Sequence, residues 1–196
     1  MRPQLLTGKQ KRVLDNIRLY HTEVTWEEPK LMFRNLGGGK FEKVSDTLGP
    51  DFMKPTAGRG TAVADFDNDG DLDIAVSNSN ALPQLLRNDG GNANHWLEVM
   101  LVGTKSNRDG RGAALKLVSE GFTEHRQAQG GMSYMSAQDP RIHFGLGQRK
   151  TIESLEITWP SGTVDKLTDV PINQIITVKE GTGIIPRNFP KIGWKP

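Results

Sequence analysis

The sequence predicts an all-β chain, and three observations carry that expectation. The 196 residues include 22 glycines and 11 prolines, a density of turn formers above ordinary globular usage. Apolar residues come in short stretches bounded by those turn formers, the pattern of strands and not of long amphipathic helices. Leu155, Ile157 and Trp159 alternate with Glu156 and Thr158, the period of a strand with one buried face. The one helical pattern, over residues 9–19 with Val13, Leu14 and Ile17 on one face, is weak.

Residues 31–35 and 41–44 are strand candidates. The link Leu36-Gly37-Gly38-Gly39-Lys40 is a hairpin connection in which glycine takes positive φ without steric penalty. Residues 61–65 and 73–77, rich in β-branched side chains, flank an acidic turn, and residues 84–88 form a fifth strand candidate. The stretch 88–94 is polar and glycine-rich and marks a domain boundary. Strands are then expected at 96–102, 114–118, 122–127, 142–145, 152–159, 164–167 and 175–178. The tail from Gly183, with Pro186, Pro190 and Pro196, is expected to be irregular and tacked down by Phe189 and Trp194. The expected organisation is therefore an N-terminal segment 1–30, a first β unit 31–93, a second, small sandwich- or barrel-like β domain 94–180, and a tail 181–196.

Composition excludes several functions. Net charge is +2, with 25 basic against 23 acidic residues, and aromatics are only 7%, so there is no nucleic-acid footprint. No apolar run reaches the length of a membrane span. The absence of cysteine removes disulfides, zinc–thiolate sites and thiol catalysis. No signal-peptide-like hydrophobic stretch opens the chain.

The most informative segment is Asp65-Phe66-Asp67-Asn68-Asp69-Gly70-Asp71-Leu72-Asp73, five carboxylates in nine residues. Like charges this close destabilise one another unless neutralised, and clustered carboxylate and carbonyl oxygens select a hard divalent cation such as Ca²⁺. Asp65, Asp67 and Asp69 can converge on one ion, Gly70 supplies the turn, Asp71 offers its backbone carbonyl, and Asp73 closes the shell. An EF-hand would need a bidentate Glu at the twelfth position, where this chain has Val76. The flanks read as strands, so a static strand–loop–strand site is expected, with Asp65, Asp67, Asp69, Asp71 and Asp73 as candidate metal residues.

Residues 31–88 resemble an FG-GAP/VCBS repeat of a β-propeller. The resemblance rests on Leu31-Met32-Phe33-Arg34-Asn35, the Gly37-Gly38-Gly39-Lys40-Phe41 hairpin, Gly58-Arg59-Gly60, the acidic loop, and Pro83-Gln84-Leu85-Leu86-Arg87-Asn88. Residues 94–180 resemble an ASPIC/UnbV domain of the cartilage-acidic-protein-like family. The matching motifs there are Asn94-His95-Trp96-Leu97, residues 101–109, Gly130-Gly131-Met132-Ser133-Tyr134, His143-Phe144-Gly145-Leu146-Gly147, Trp159-Pro160-Ser161-Gly162 and residues 170–174. The resemblance implies a partial propeller of about one blade followed by the small β domain. It also implies calcium at the five aspartates and a secreted or cell-surface location. Only one repeat is clear, with residues 13–30 read as the end of another, so the chain reads as a fragment of a longer protein with upstream blades or as a shortened gene model. Arg111 stands where the family pattern leads one to expect an aliphatic residue.

Outside the acidic loop the most polar cluster is 103–110. Lys105, Asn107, Arg108 and Asp109 are candidate ligand-binding residues, able to clamp a carboxylate, sulfate or sugar. The competing reading makes Asn107, Asp109 and Gly110 a turn held by Asx-type bonds. His21, His95, His125 and His143 show no metal-ligand spacing. Ser133 with His125 or His143 and Asp139 lacks a nucleophile elbow, and Gly39-Lys40-Phe41 lacks the hydroxyl of a phosphate loop. Tyr134 and Trp159 offer stacking surfaces for a sugar, but core or turn packing is the commoner use of such residues.

The expected function is thus a calcium-stabilised, non-enzymatic extracellular recognition or adhesion module with an unknown protein or glycan ligand. Two alternatives stand beside it. One is a carbohydrate-active or other hydrolase with its site in residues 94–180, which would need a pocket joining Lys105, Arg108 or Asp109 to His125 or His143. The other is a self-assembling structural subunit, because an incomplete propeller leaves strand edges in need of partners.

Overall fold

The computed structural model describes residues 27–90 and 93–186. The weak helical pattern over 9–19, His21, and the tail residues Phe189 and Trp194 lie outside the described residues. Thirteen strands are present among the described residues, with one 3₁₀ turn (Ser45–Thr47) and one helical turn (Pro50–Met53), neither of which was expected. They form two compact units. One ends at Thr61 and resumes over Ala75–Leu86; the other comprises Ala62–Ile74 and the chain from Arg87 onward.

The first unit contains the hairpin β1 (Phe33–Gly37) and β2 (Lys40–Lys43). Gly37, Gly38 and Gly39 all have positive φ, as the three-glycine turn demands. Strands β3 (Gly58–Ala64), β4 (Asp73–Asn78) and β5 (Gln84–Leu86) form a three-stranded sheet in that order. The acidic loop is the β3–β4 connection.

The second unit is a sandwich of two four-stranded sheets. One has the order β11 (Val164–Leu167), β10 (Ser154–Thr158), β7 (Ala114–Ser119), β8 (Phe122–Gln127). The other runs β13 (Gly183–Ile185), β12 (Gln174–Lys179), β6 (His95–Val102), β9 (Ile142–Gly147). Period-two alternation builds the core. Leu115 and Leu117 of β7 pair in register with Ile157 and Leu155 of β10, while Lys116 faces outward. Leu97 and Val99 of β6 sit opposite Phe144 and Ile142 of β9. All of these are buried, and each such side chain is worth about 1.5–3 kcal/mol on transfer from water. Trp159 fills the same core and donates its indole N–H to Asp165 Oδ2 at 2.7 Å, so it is a packing residue and not a sugar platform.

One feature of this sandwich differs from the expectation, and a second lay outside it. Gly183–Ile185, expected to be irregular, forms β13 and pairs antiparallel with β12; Ile184 lies opposite Val178. A strand edge left open by β12 rewards even a three-residue partner, which a count of tail prolines does not register. Strands β12 and β6 are parallel, and residues 175–178 of β12 are buried without a break. A strand covered on both faces loses its alternation. Here one face meets the sandwich core. The opposite face of β6 carries Glu98, which is only 1% exposed, and β9 there places His143 in register with Glu98.

Candidate metal centre

The loop between β3 and β4 belongs to the same compact unit as the sandwich. Local geometry is set by its own carboxylates. Asp65 Oδ1 accepts the Asp69 N–H at 3.1 Å and Oδ2 accepts the Gly70 N–H at 3.0 Å, so the first aspartate folds the turn back on itself. Asp73 Oδ2 accepts the Phe66 N–H at 3.0 Å and Oδ1 the Asn88 N–H at 2.8 Å. Asn68 takes the left-handed region at φ 61° and Gly70 an open φ of 102°.

The result brings together Asp65, Asp67 and Asp73, whose carboxylate oxygens lie within 4.8 Å of one another. Asp65 and Asp73 are buried and Asp67 is exposed. Asp69 and Asp71 stand outside this group; Asp69 Oδ1 accepts the Asp71 N–H at 3.1 Å. Burial pushes the Asp65 carboxyl above its ordinary range, against the lowering pull of the Gly70 N–H and Arg141. Desolvation also raises Asp67, and the charges of Asp69 and Asp73 add to it. Three convergent carboxylates, all hard oxygen donors held at elevated electrostatic cost, are the donor set that suits Ca²⁺.

Sequence reasoning missed the residues that hold this loop. Arg141, just before β9, donates to the backbone carbonyl of Asp65 and, at 2.8 Å, to Asn68 Oδ1. Its guanidinium also pairs with the buried Glu98 at 2.8 Å and with Asp139. Burial would depress its pKa, but Asp139 and Glu98 outweigh that and raise it, so the charge is secure. His143 Nε2 lies 3.1 Å from the Gly70 carbonyl and stacks on Trp96 at 6.5 Å between ring centroids. Its burial lowers its pKa, toward the neutral imidazole. Gly70 sits directly on Trp96: a Cβ there would lie 1.9 Å from the indole Nε1.

The second polar loop is organised differently. Glu180, 3% exposed and also missed, accepts the backbone N–H groups of Thr104, Lys105 and Ser106 at 2.7, 2.7 and 2.8 Å. The hydroxyls of Thr104, Ser106 and Ser161 complete its shell. Burial acts to raise this carboxyl, but the donors outweigh it and hold it far below the usual carboxylate range. Asn107 spends its side chain on the loop, accepting the Arg111 N–H and donating to the Arg111 carbonyl, each at 2.8 Å. Asp109 pairs with Arg108 at 3.0 Å and, more loosely, with Arg111. Gly110, at φ 62°, packs on Leu101, where a Cβ would come within 2.6 Å. Lys105 and Arg108 reach into solvent. Arg111 lies over Gly130, its guanidinium taking the space a Cβ would need.

Two of the residues required by a hydrolase reading have other partners, and a third is exposed on a strand. Asp139 binds Arg141, His143 faces Gly70, and His125 is exposed on β8 opposite Lys116. An open cavity of about 330 Å³ in the first unit is lined by Glu28, Pro29, Lys30, Thr56, Ala57, Gly58 and Arg59, and by none of Lys105, Arg108, Asp109, His125 or His143. No helix among the described residues is long and apolar enough to cross a membrane.

Comparison with known proteins agrees with this architecture. Residues 26–76 match the family model of the FG-GAP-like repeat, and residues 103–185 match that of ASPIC and UnbV. Cartilage acidic protein 1 of Xenopus tropicalis is 35% identical over 141 residues, 68% of this chain and 22% of that protein. The Mus musculus protein of the same name is 35% identical over 137 residues and the Homo sapiens one 34%, each over 67% of this chain. The chain therefore spans about a fifth of the length of the curated relatives it matches.

Proposed function

Because the chain joins an FG-GAP-like repeat to an ASPIC and UnbV domain, we propose that it is a calcium-stabilised, non-enzymatic module for extracellular recognition or adhesion. The observation that carries this reading is the convergence of Asp65, Asp67 and Asp73 within 4.8 Å. These three would hold the ion, with Asp69 and Asp71 completing the acidic set. Bound calcium would supply positive charge where three carboxylates now oppose one another. The family resemblance and the similarity to cartilage acidic protein 1 support an exported location, and the ligand is a protein or glycan.

Calcium binding is then folding energy. Stabilisation follows RT ln(1 + [Ca²⁺]/Kd), about 2.7 kcal/mol at a hundredfold excess over Kd. Extracellular modules bind calcium with Kd around 10⁻⁴ to 10⁻³ M, so millimolar calcium occupies half or more of such a site and stabilises the chain only modestly. Isothermal titration calorimetry on the purified chain is expected to show one calcium site in the wild type and none in Asp65→Ala. Asp65→Ala is also expected to lose the calcium-dependent rise in melting temperature. No heat from the wild type in millimolar CaCl₂ would refute the reading.

One observation favours self-association as a second reading. Leu31, Phe33, Leu36 and Phe41, in and beside the β1–β2 hairpin, are all more than half exposed. Together with Leu82 and Leu85 they leave the first unit with large apolar side chains in water. Sedimentation equilibrium with and without calcium distinguishes a monomer from an assembly.

A further inference from the structure

We propose that Arg141 and His143, backed by Glu98 and Trp96, are positioning residues that hold the acidic loop in its ion-accepting shape, so that the ion's affinity is set partly by the sandwich. The inference rests on the calcium reading above and adds to it residues that lie far outside the loop.

Two backbone carbonyls of the loop are gripped from the sandwich: Asp65 O by Arg141 and Gly70 O by His143. They flank the segment that contains Asp67 and Asp69. Arg141 also takes Asn68 Oδ1, which pins the one non-glycine residue of the loop at positive φ. The grip is itself braced. Glu98, 1% exposed on β6, and Asp139 fix two sides of the guanidinium. Trp96 stacks on His143 and leaves room above it only for a glycine at position 70. A planar guanidinium with all its directions engaged is a rigid post, which a flexible ammonium cannot imitate.

The arrangement matters for binding because three carboxylates separated from their cation repel. A free loop would splay, and ion binding would have to reorder it. Holding the backbone beforehand removes that ordering cost, in the way outer residues orient the direct ligands of a metal. Arg141 is also a fixed positive charge beside Asp65, which lowers the repulsion before an ion arrives. By linkage, calcium in turn stabilises the β6–β9 side of the sandwich.

Calcium calorimetry on the full chain tests the proposal. Arg141→Lys, which keeps the charge and loses the fork, is expected to weaken calcium affinity about tenfold, the lower end of the range for outer residues of metal sites. Asn68→Gly, which removes one acceptor at an exposed position while tolerating positive φ, is expected to weaken it less, in the same direction. It serves as the second variant if Arg141→Lys does not fold. A third readout is terbium emission excited through indole absorption, expected in the wild type and strongly reduced in Trp96→Phe. Wild-type calcium affinity in a folded Arg141→Lys or Asn68→Gly protein overturns the positioning role alone. A wild type that binds no calcium overturns the metal reading and this inference with it. Undiminished sensitised emission in Trp96→Phe overturns the placement of the indole against the loop.

Discussion

Two loops of the second unit are each built around carboxylates, and they solve the same problem in opposite ways. Glu180 is a single buried carboxylate whose oxygens are filled by three backbone N–H groups and the hydroxyls of Thr104, Ser106 and Ser161. It needs nothing further, and it ties the loop at 103–110 to Ser161. Asp65, Asp67 and Asp73 face one another instead, with N–H groups serving some of their oxygens and like charge meeting across the rest. The first arrangement is complete within the chain. The second brings three carboxylates within 4.8 Å of one another, the donor set proposed above to hold a cation.

The contrast can be broken most severely at Glu180. Glu180→Ala strands three adjacent N–H groups inside the loop, and the largest loss of melting temperature is expected there, equal in calcium and in EDTA. A loss seen only with calcium present would mean that the two loops are not independent. Acid sharpens the same point. The Glu180 pKa is depressed in the folded state, so its contribution is fully present above the unfolded value of 4.5 and drains away as pH falls below it. Glu180→Gln is expected to flatten that acid limb in pH-dependent denaturation, and an unchanged limb would argue against the depressed pKa. Next in size is Gly70→Ala, where a methyl group meets the Trp96 indole at a φ of 102°. A loss of about 2–4 kcal/mol is expected in chemical denaturation, from overpacking added to a disfavoured backbone. The smallest effect is expected from Lys105→Ala. Its backbone N–H holds Glu180, but its side chain is exposed, so stability should stay within about 0.5 kcal/mol. A larger loss would give that ammonium a structural role.

Much of this protein was legible residue by residue. Every expected strand among the described residues is present, because alternation and turn chemistry act over a few positions. The acidic loop announced itself through charge density, and Asn107 as a turn former through its residue type. The hairpin glycines were likewise required locally. Glu180 and Arg141 gave no such signal. Each is an ordinary charged residue in its own neighbourhood, and the loop backbone that each one holds lies 74–76 positions away. The same distance hid the parallel pairing of β12 with β6, and β13 could be seen only once β12 was known to offer an edge.

What the amino-acid order alone determined was the all-β class, the approximate places of most strands, and a nine-residue stretch crowded with carboxylates. Those follow from steric preference, period and charge repulsion between neighbours in the chain. Only the tertiary structure decided which carboxylates converge, which are answered by N–H groups, and which face of β6 the acidic loop covers. Burial and pairing across 70 and more positions depend on where the sheets place distant backbone. A charged side chain is a surface residue, a staple or a post according to the neighbours that folding brings to it.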